Sequence, residues 1–144
     1  MTTRIYDSNQ VQVSFAGIPV DGYADGDFLT LTKESDAFVS VVGTDGQVAR
    51  SKTNDRRCTI EIVLLATSIT SAAFSAIHIA DINAPAGGAG VGAFLCVDLN
   101  GTSLYSAGNC WIKRAPDRTF GRETGSVTWT LECDVLYDFT GGNL

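Results

Sequence analysis

Few side chains here can do chemistry, and their spacing serves it poorly. His78 is the one histidine in 144 residues, so a base–nucleophile relay or a histidine-based metal site has almost nothing to draw on. It shares a helical arc with Ser71, Ser75 and Asp81, and no nucleophile-elbow turn presents a serine beside it. Cys58, Cys96, Cys110 and Cys133 include no C-x-x-C pair, whereas zinc sites draw close ligand pairs from one turn. Each lies inside an apolar or alternating run, so the four read as small buried hydrophobes, with disulfide pairing the lesser alternative. Gly88-Ala89-Gly90-Val91-Gly92-Ala93 fits the loose dinucleotide pattern G-x-G-x-x-A. That motif needs a strand before it and a helix after it, and here the order is reversed, so it reads as a connecting loop. Asp21, Asp25 and Asp27 lack the calcium-loop spacing and its closing glutamate, which leaves a solvated turn. Asn100-Gly101-Thr102 fits a glycosylation sequon but reads as a hairpin turn. No catalytic residue, cofactor or metal is expected.

Charge placement is more informative than any motif. Eight of the ten basic residues fall in two short segments: Arg50, Lys52, Arg56 and Arg57, then Lys113, Arg114, Arg118 and Arg122. Acidic residues gather elsewhere, at Asp21, Asp25, Asp27, Glu34 and Asp36, and again at Glu132, Asp134 and Asp138. An acidic chain with segregated basic segments points to complementary surfaces on different copies of itself. The net charge of −6 argues against nucleic-acid binding as the main task. Hydrophobic residues at 44% and charged ones at 18% exclude a disordered chain and fit one domain over residues 1–144. No apolar run reaches the ~18 residues of a membrane span. The opening MTTRIYDSNQ has no apolar core, so a soluble protein not exported by a signal peptide is expected.

The elements that must position these segments are mainly strands. Val11, Val13 and Phe15 alternate with polar neighbours, FLTLT covers Phe28 to Thr32, and a third run covers Ala37 to Val42. Asp45-Gly46 suits a hairpin turn with positive φ, and a return strand begins at Gln47. CTIEIVLL sets Cys58, Ile60, Ile62 and Leu64 on one face, with Thr59, Glu61 and Val63 on the other. AFLCVDL and TSLYS flank Asn100-Gly101 as a second hairpin. SVTWTLECDVLYD alternates for more than ten residues, placing Val127, Trp129, Leu131, Cys133, Val135 and Tyr137 on one face. One helix is predicted from about Ile69 to Ile82, capped by Thr67 or Ser68 and ended by Asn83 and Pro85. Its arc of Ala72, Ala73, Ala76, Ile77, Ile79 and Ala80 is expected to pack on the sheet, with Ser71, Ser75, His78 and Asp81 outward. The fold class is mainly β, an antiparallel sandwich or barrel with one flanking α-helix.

Three long blocks add a resemblance. GDFLTLTKESDAFVSVVGTDGQVARSKTNDR (Gly26 to Arg56), LYSAGNCWIKRAPDRTFGRE (Leu104 to Glu123) and TWTLECDVLYDFTGGN (Thr128 to Asn143) resemble the short tail tube proteins of contractile-tailed (myovirus-type) bacteriophages. The likeness runs over nearly the whole chain and is weakest in the helix and the PAGGAGVG loop. It implies a structural virion protein and not an enzyme. Subunits of that family form hexameric rings that stack into a tube inside a sheath, each giving strands to a continuous inner barrel. The resemblance further implies partners among sheath, baseplate or initiator and terminator proteins. It implies as well that DNA passes through the lumen without specific binding, that no membrane is involved, and that assembly takes place in the host bacterial cytoplasm. Set beside it, the residues assign inter-subunit contact to Arg50, Lys52, Asn54, Asp55, Arg56, Arg57, Lys113, Arg114, Arg118 and Arg122. Thr128, Thr130, Glu132 and Asp134 are assigned to an acidic lumen, on the expectation that the basic residues occupy connections rather than strands. The alternatives are the tube of a tailocin or type VI-like injection device and, in a different class, a monomeric ligand-binding β-barrel.

Overall fold

The computed structural model describes residues 3–85 and 90–143. The first two residues of the stretch matched to G-x-G-x-x-A, at 88 and 89, lie outside the described residues. Strands β1 (Val11–Phe15), β2 (Ile18–Pro19), β3 (Leu29–Lys33), β4 (Phe38–Val42), β5 (Val48–Lys52) and β6 (Cys58–Leu65) precede helix α1 (Thr70–Ile82). Strands β7 (Gly92–Asp98), β8 (Leu104–Arg114), β9 (Ser126–Cys133) and β10 (Tyr137–Phe139) follow it. One antiparallel sheet runs in the order β2-β1-β7-β8-β9-β6-β3, while β4 and β5 form a separate two-stranded hairpin. Along one edge of β8, residues Leu104–Ser106 pair with β10 and Cys110–Arg114 pair with β9. The long strand therefore joins two halves of a curled sheet.

The period-2 patterns of the sequence fill the space between those halves. Cys58, Ile60, Ile62 and Leu64 of β6 are fully buried and face Val127, Trp129, Leu131 and Cys133 of β9, Val13 and Phe15 of β1, and Phe94 and Cys96 of β7 in one core. Phe74 of α1 lies between Phe15 and Trp129, its ring edge-on to both at 5.6 and 5.5 Å. Trp129 donates its Nε1–H to Ser71 Oγ at 3.2 Å, so its polar atom is satisfied inside the helix–sheet seam. The helix start is tied to the chain after β2. Thr70 Oγ1 accepts the Asp21 N–H at 3.0 Å, and Ser68 Oγ donates to the Asp21 carbonyl at 2.6 Å. Gly22 passes there at φ +74, where a Cβ would lie 2.7 Å from the Ser68 Cβ, so the position requires glycine.

Two expectations are corrected. The alternation from Ser126 to Asp138 is not one strand. β9 stops at Cys133, where Asp134 Oδ1 accepts the Val135 N–H at 2.7 Å and turns the chain. The phase then flips: Leu136 is buried, whereas Val135 and Tyr137 are exposed. The helix is also rotated from its expected setting. Thr70 and Phe74 are its buried residues, with Ser71, Ile77 and His78 half-buried, while Ala72, Ala76, Ile79 and Ala80 face outward. One large aromatic outweighs several methyl groups in deciding which face is buried, because burial gain scales with apolar area. The predicted helix bounds and the Asn83 stop agree with the structure, but the N-cap is Ile69, which makes no side-chain cap bond, while Ser68 Oγ before it accepts the Thr70 N–H at 3.3 Å.

No helix among the described residues is long and apolar enough to cross a membrane.

Candidate assembly surfaces

The side of β3, β6, β9 and β8 turned away from the core is rich in threonine. Because alternate residues of β6 and β9 are buried, the intervening ones must share the opposite face. Their register builds two rows across four strands. Thr32, Thr59, Glu132 and Trp111 form one, and Thr30, Glu61, Thr130 and Arg114 form the next. Val63 and Thr128 continue the surface. Thr128, Thr130 and Glu132 thus lie together as the sequence led us to expect. Asp134 does not join them: it lies beyond the end of β9, where Oδ2 accepts from Asn109 Nδ2 at 3.1 Å.

Basic residues reach this face, contrary to the expectation that they keep to connections. A bulge between Ile112 and Arg114 breaks the alternation of β8. Lys113 meets Glu132 at 3.4 Å, and Arg114 lines a shallow cleft with Thr128 and Thr130. Arg57 reaches the same carboxylate from the other side, at 3.9 Å. Arg50 and Lys52 also belong to a strand, β5. The face therefore carries paired opposite charges and not an uninterrupted acidic surface.

The second surface is the β4–β5 hairpin. All ten of its strand residues are exposed. Its register puts Val39, Val41, Ala49 and Ser51 on one face, and Phe38, Ser40, Val42, Val48, Arg50 and Lys52 on the other. Val41, Val42 and Val48 stand 64–66% exposed at the outer end, around the turn where Gly46 takes φ +88. The Arg50 guanidinium covers the Phe38 ring at 4.2 Å. The hairpin's root is locked by polar groups. Thr53 N–H donates to the Ala37 carbonyl at 2.9 Å, and Arg57 donates through Nε and Nη2 to both carboxylate oxygens of Asp55 at 2.9 Å. This fork and the Arg57 N–H hold the Asp55 carboxyl well below the usual carboxylate range. Lys33 pairs with Asp138, joining β3 to β10. Between root and body opens a cleft of about 290 Å³ whose lining includes Lys33, Phe38, Lys52, Arg56 and Asp138.

The two basic segments meet only at Glu132. Within the first, Asp55 and Arg57 organise the root, while Asn54 and Arg56 are exposed. The rest of the second lies at the far end of β6. Arg114 pairs with Asp117 at 3.1 Å, Arg118 Nη1 donates to the Ala66 carbonyl at 3.4 Å, and Arg122 is exposed. Arg118 also covers Phe120 at 4.7 Å, and that ring is 82% exposed. Sequence reasoning passed over Phe120, a single aromatic in a polar loop with no periodicity to mark it. It also passed over the two-sided exposure of the hairpin, since alternation alone says nothing of what covers either face.

Among the described residues no group of His, Cys, Asp and Glu side chains is placed to hold a metal ion. The core faces of β6 and β9 are filled by their own side chains, at most 4% exposed, and do not wall a binding pocket as the monomeric barrel reading required.

The family model of the bacteriophage PhiTE tail tube protein matches residues 10–141. Among solved structures, the chain is similar to the tube-terminating cap of the anti-feeding prophage. The TM-score is 0.62 at 10% identity, over 97% of this chain and 94% of that one. It is similar to the sheath/tube terminator of PVC, an extracellular contractile injection system in its extended state. Here the TM-score is 0.60 at 10% identity, over 97% and 100% of the two chains. A chain of the PVC sheath–tube complex in the extended state gives 0.62 at 8% identity, over 92% and 90%. No curated protein sequence matches.

Proposed function

The chain belongs to the PhiTE tail tube protein family, and from that premise we propose that it forms hexameric rings stacked into the tube of a phage tail, with the threonine face turned to the lumen. At the coarser level it is a tail tube-type structural protein of a phage or phage-like contractile injection system, and not an enzyme. One observation carries the finer reading: a non-core face whose two cross-strand rows are half threonine, backed by a fully packed core. On that face Lys113 and Arg57 are engaged by Glu132, and Arg114 by Asp117. A lysine held by a carboxylate releases few counterions to a passing phosphate, so cargo slides instead of binding. The exposed edge of β3 calls for a strand from a neighbouring copy, since an unpaired edge is a hazard for the free subunit. Assembly in the bacterial cytoplasm and docking to sheath, baseplate and terminator proteins belong to the same proposal.

The β4–β5 hairpin supplies the contact between rings. Arg50, Lys52 and Arg56 are its outward charges, whereas Arg57 is committed to Asp55 within the subunit. Reversing Arg50, Lys52 and Arg56 to Glu is expected to leave the fold intact and to abolish tubes in negative-stain images of the purified protein. Normal tubes from that variant would remove the hairpin charges from the contact. A second reading, a terminating cap, is favoured by two of the structural neighbours being terminators. A cap forms a single ring that does not grow with concentration, and a tube protein polymerises.

A further inference from the structure

Three thiols lie side by side in the core with no part in either assembly surface. Cys58 opens β6, Cys133 closes β9, and Cys110 lies in β8. Registers Cys58–Cys133 and Cys110–Cys133 set them in one row across three adjacent strands. All are fully buried and free.

The two neighbouring pairs are not equivalent. In an antiparallel ladder, hydrogen-bonded pairs with Cα atoms about 5.5 Å apart alternate with non-hydrogen-bonded pairs about 4.5 Å apart, whose side chains are closer. Asp134 N–H donates to the Asn109 carbonyl at 3.3 Å, which makes that pair a bonded one. The next pair inward, Cys110–Cys133, is therefore non-hydrogen-bonded. On the other side, Glu34 N–H donates to the Arg57 carbonyl at 3.2 Å. Cys58, one residue on, thus turns its own N–H and C=O away from β3 and toward β9, so Cys58–Cys133 is a hydrogen-bonded pair. Cys133 Sγ points at the Cys58 carbonyl, 3.7 Å away, so bridging to Cys110 requires it to turn about χ1.

We propose that Cys110 and Cys133 are a reversible oxidation site that closes to a cross-strand disulfide, while Cys58 stays a thiol. A disulfide needs Cβ atoms about 3.5–4.5 Å apart, and side chains lie closer at a non-hydrogen-bonded pair than at a hydrogen-bonded one. The pair lies at the end of β9, beside the exposed Asn109 and Asp134, so a small inward shift disturbs little of the ladder. Burial pushes the thiols up, Cys58 to about 11 and Cys110 further, so reaction waits on opening of the strand end. A bond strained in this way is reducible by ordinary thiols. With a diazene oxidant such as diamide, one thiolate adds to the N=N bond and the other displaces the hydrazide from sulfur. Two thiols lose two protons and two electrons, and the diazene becomes the hydrazine.

The test oxidises the purified full-length protein with diamide at mildly alkaline pH, then unfolds it and alkylates the remaining thiols. Cleavage at Asp and Glu separates all four cysteines. The expected result is two alkylated thiols of four, a mass lower by about 2 Da before alkylation, and one linked peptide pair joining Cys110 to Cys133, reversed by dithiothreitol. Cys58→Ser is expected to retain the link and Cys110→Ser to lose it. The wild-type peptide map decides even where a variant fails to fold. Four alkylated thiols after prolonged oxidation, a Cys58–Cys133 link, or links between chains would each overturn the proposal.

Discussion

Phe74 shows how one side chain sets the pose of an element. It is fully buried and touches the rings of both Phe15 and Trp129, each from a different half of the curled sheet. Phe74→Ala is expected to destabilise the subunit by about 3–5 kcal/mol, the range for deleting a packed aromatic, read from denaturant unfolding of the unassembled chain. A loss below ~1 kcal/mol would mean that the helix is not held through this residue. At this scale the sequence was legible wherever period-2 alternation coincides with a full strand, as at Cys58, Ile60, Ile62 and Leu64. It failed at Asp134. There a carboxylate that captures the next backbone N–H ends the strand, yet the apolar pattern continues past it unchanged. Hydrophobic periodicity carries no record of such a local hydrogen bond.

Helix α1 gives the lesson for elements. Its stop at Asn83 was readable from local signals, whereas its N-cap is Ile69, one residue past the expected Thr67 or Ser68, and makes no side-chain cap bond. Its rotation about its own axis depends on the shape of the groove that receives it, which local signals do not encode. The outward arc of Ala72, Ala76, Ile79 and Ala80 is the one that the alanine pattern assigned to the core. Replacing Ala76 and Ile79 with Gln is therefore expected to change unfolding stability of the free subunit by no more than about 0.5 kcal/mol each, as for other exposed positions. The original assignment requires several kcal/mol, so thermal or urea unfolding separates the two settings directly. The β8 bulge works the same way. By breaking alternation after Ile112 it sets Arg114 opposite Thr130, on the face that already carries Trp111, a placement that no period-2 reading supplies.

At the scale of the whole molecule, the proposed tube asks opposite things of two surfaces. A face turned to the lumen has to let DNA pass without holding it, so added cations should do harm there. Thr128→Lys with Thr130→Lys is expected to leave tubes intact while slowing DNA ejection at low salt, with recovery as salt rises, because each new phosphate contact is electrostatic. Unchanged ejection would place that face outside the lumen. The hairpin must instead be held by something. Its ten strand residues contribute nothing to the core, and Val39, Val41, Val42 and Val48 are each more than half exposed. A two-stranded hairpin is marginal in water by itself, and an apolar one that covers no core brings the free subunit an aggregation hazard and no stability. Its root is closed independently, by Thr53 on the Ala37 carbonyl and by the Asp55–Arg57 fork. Replacing residues 38–52 with a short glycine–serine turn between Ala37 and Thr53 should therefore preserve the circular dichroism of the body and its unfolding midpoint. The same variant should remain as rings or monomers in negative-stain images at concentrations where the intact protein forms tubes. If the shortened chain polymerises normally, the stacking contact lies elsewhere on the subunit, and the loop that carries Arg118 and Phe120 becomes the next surface to cut.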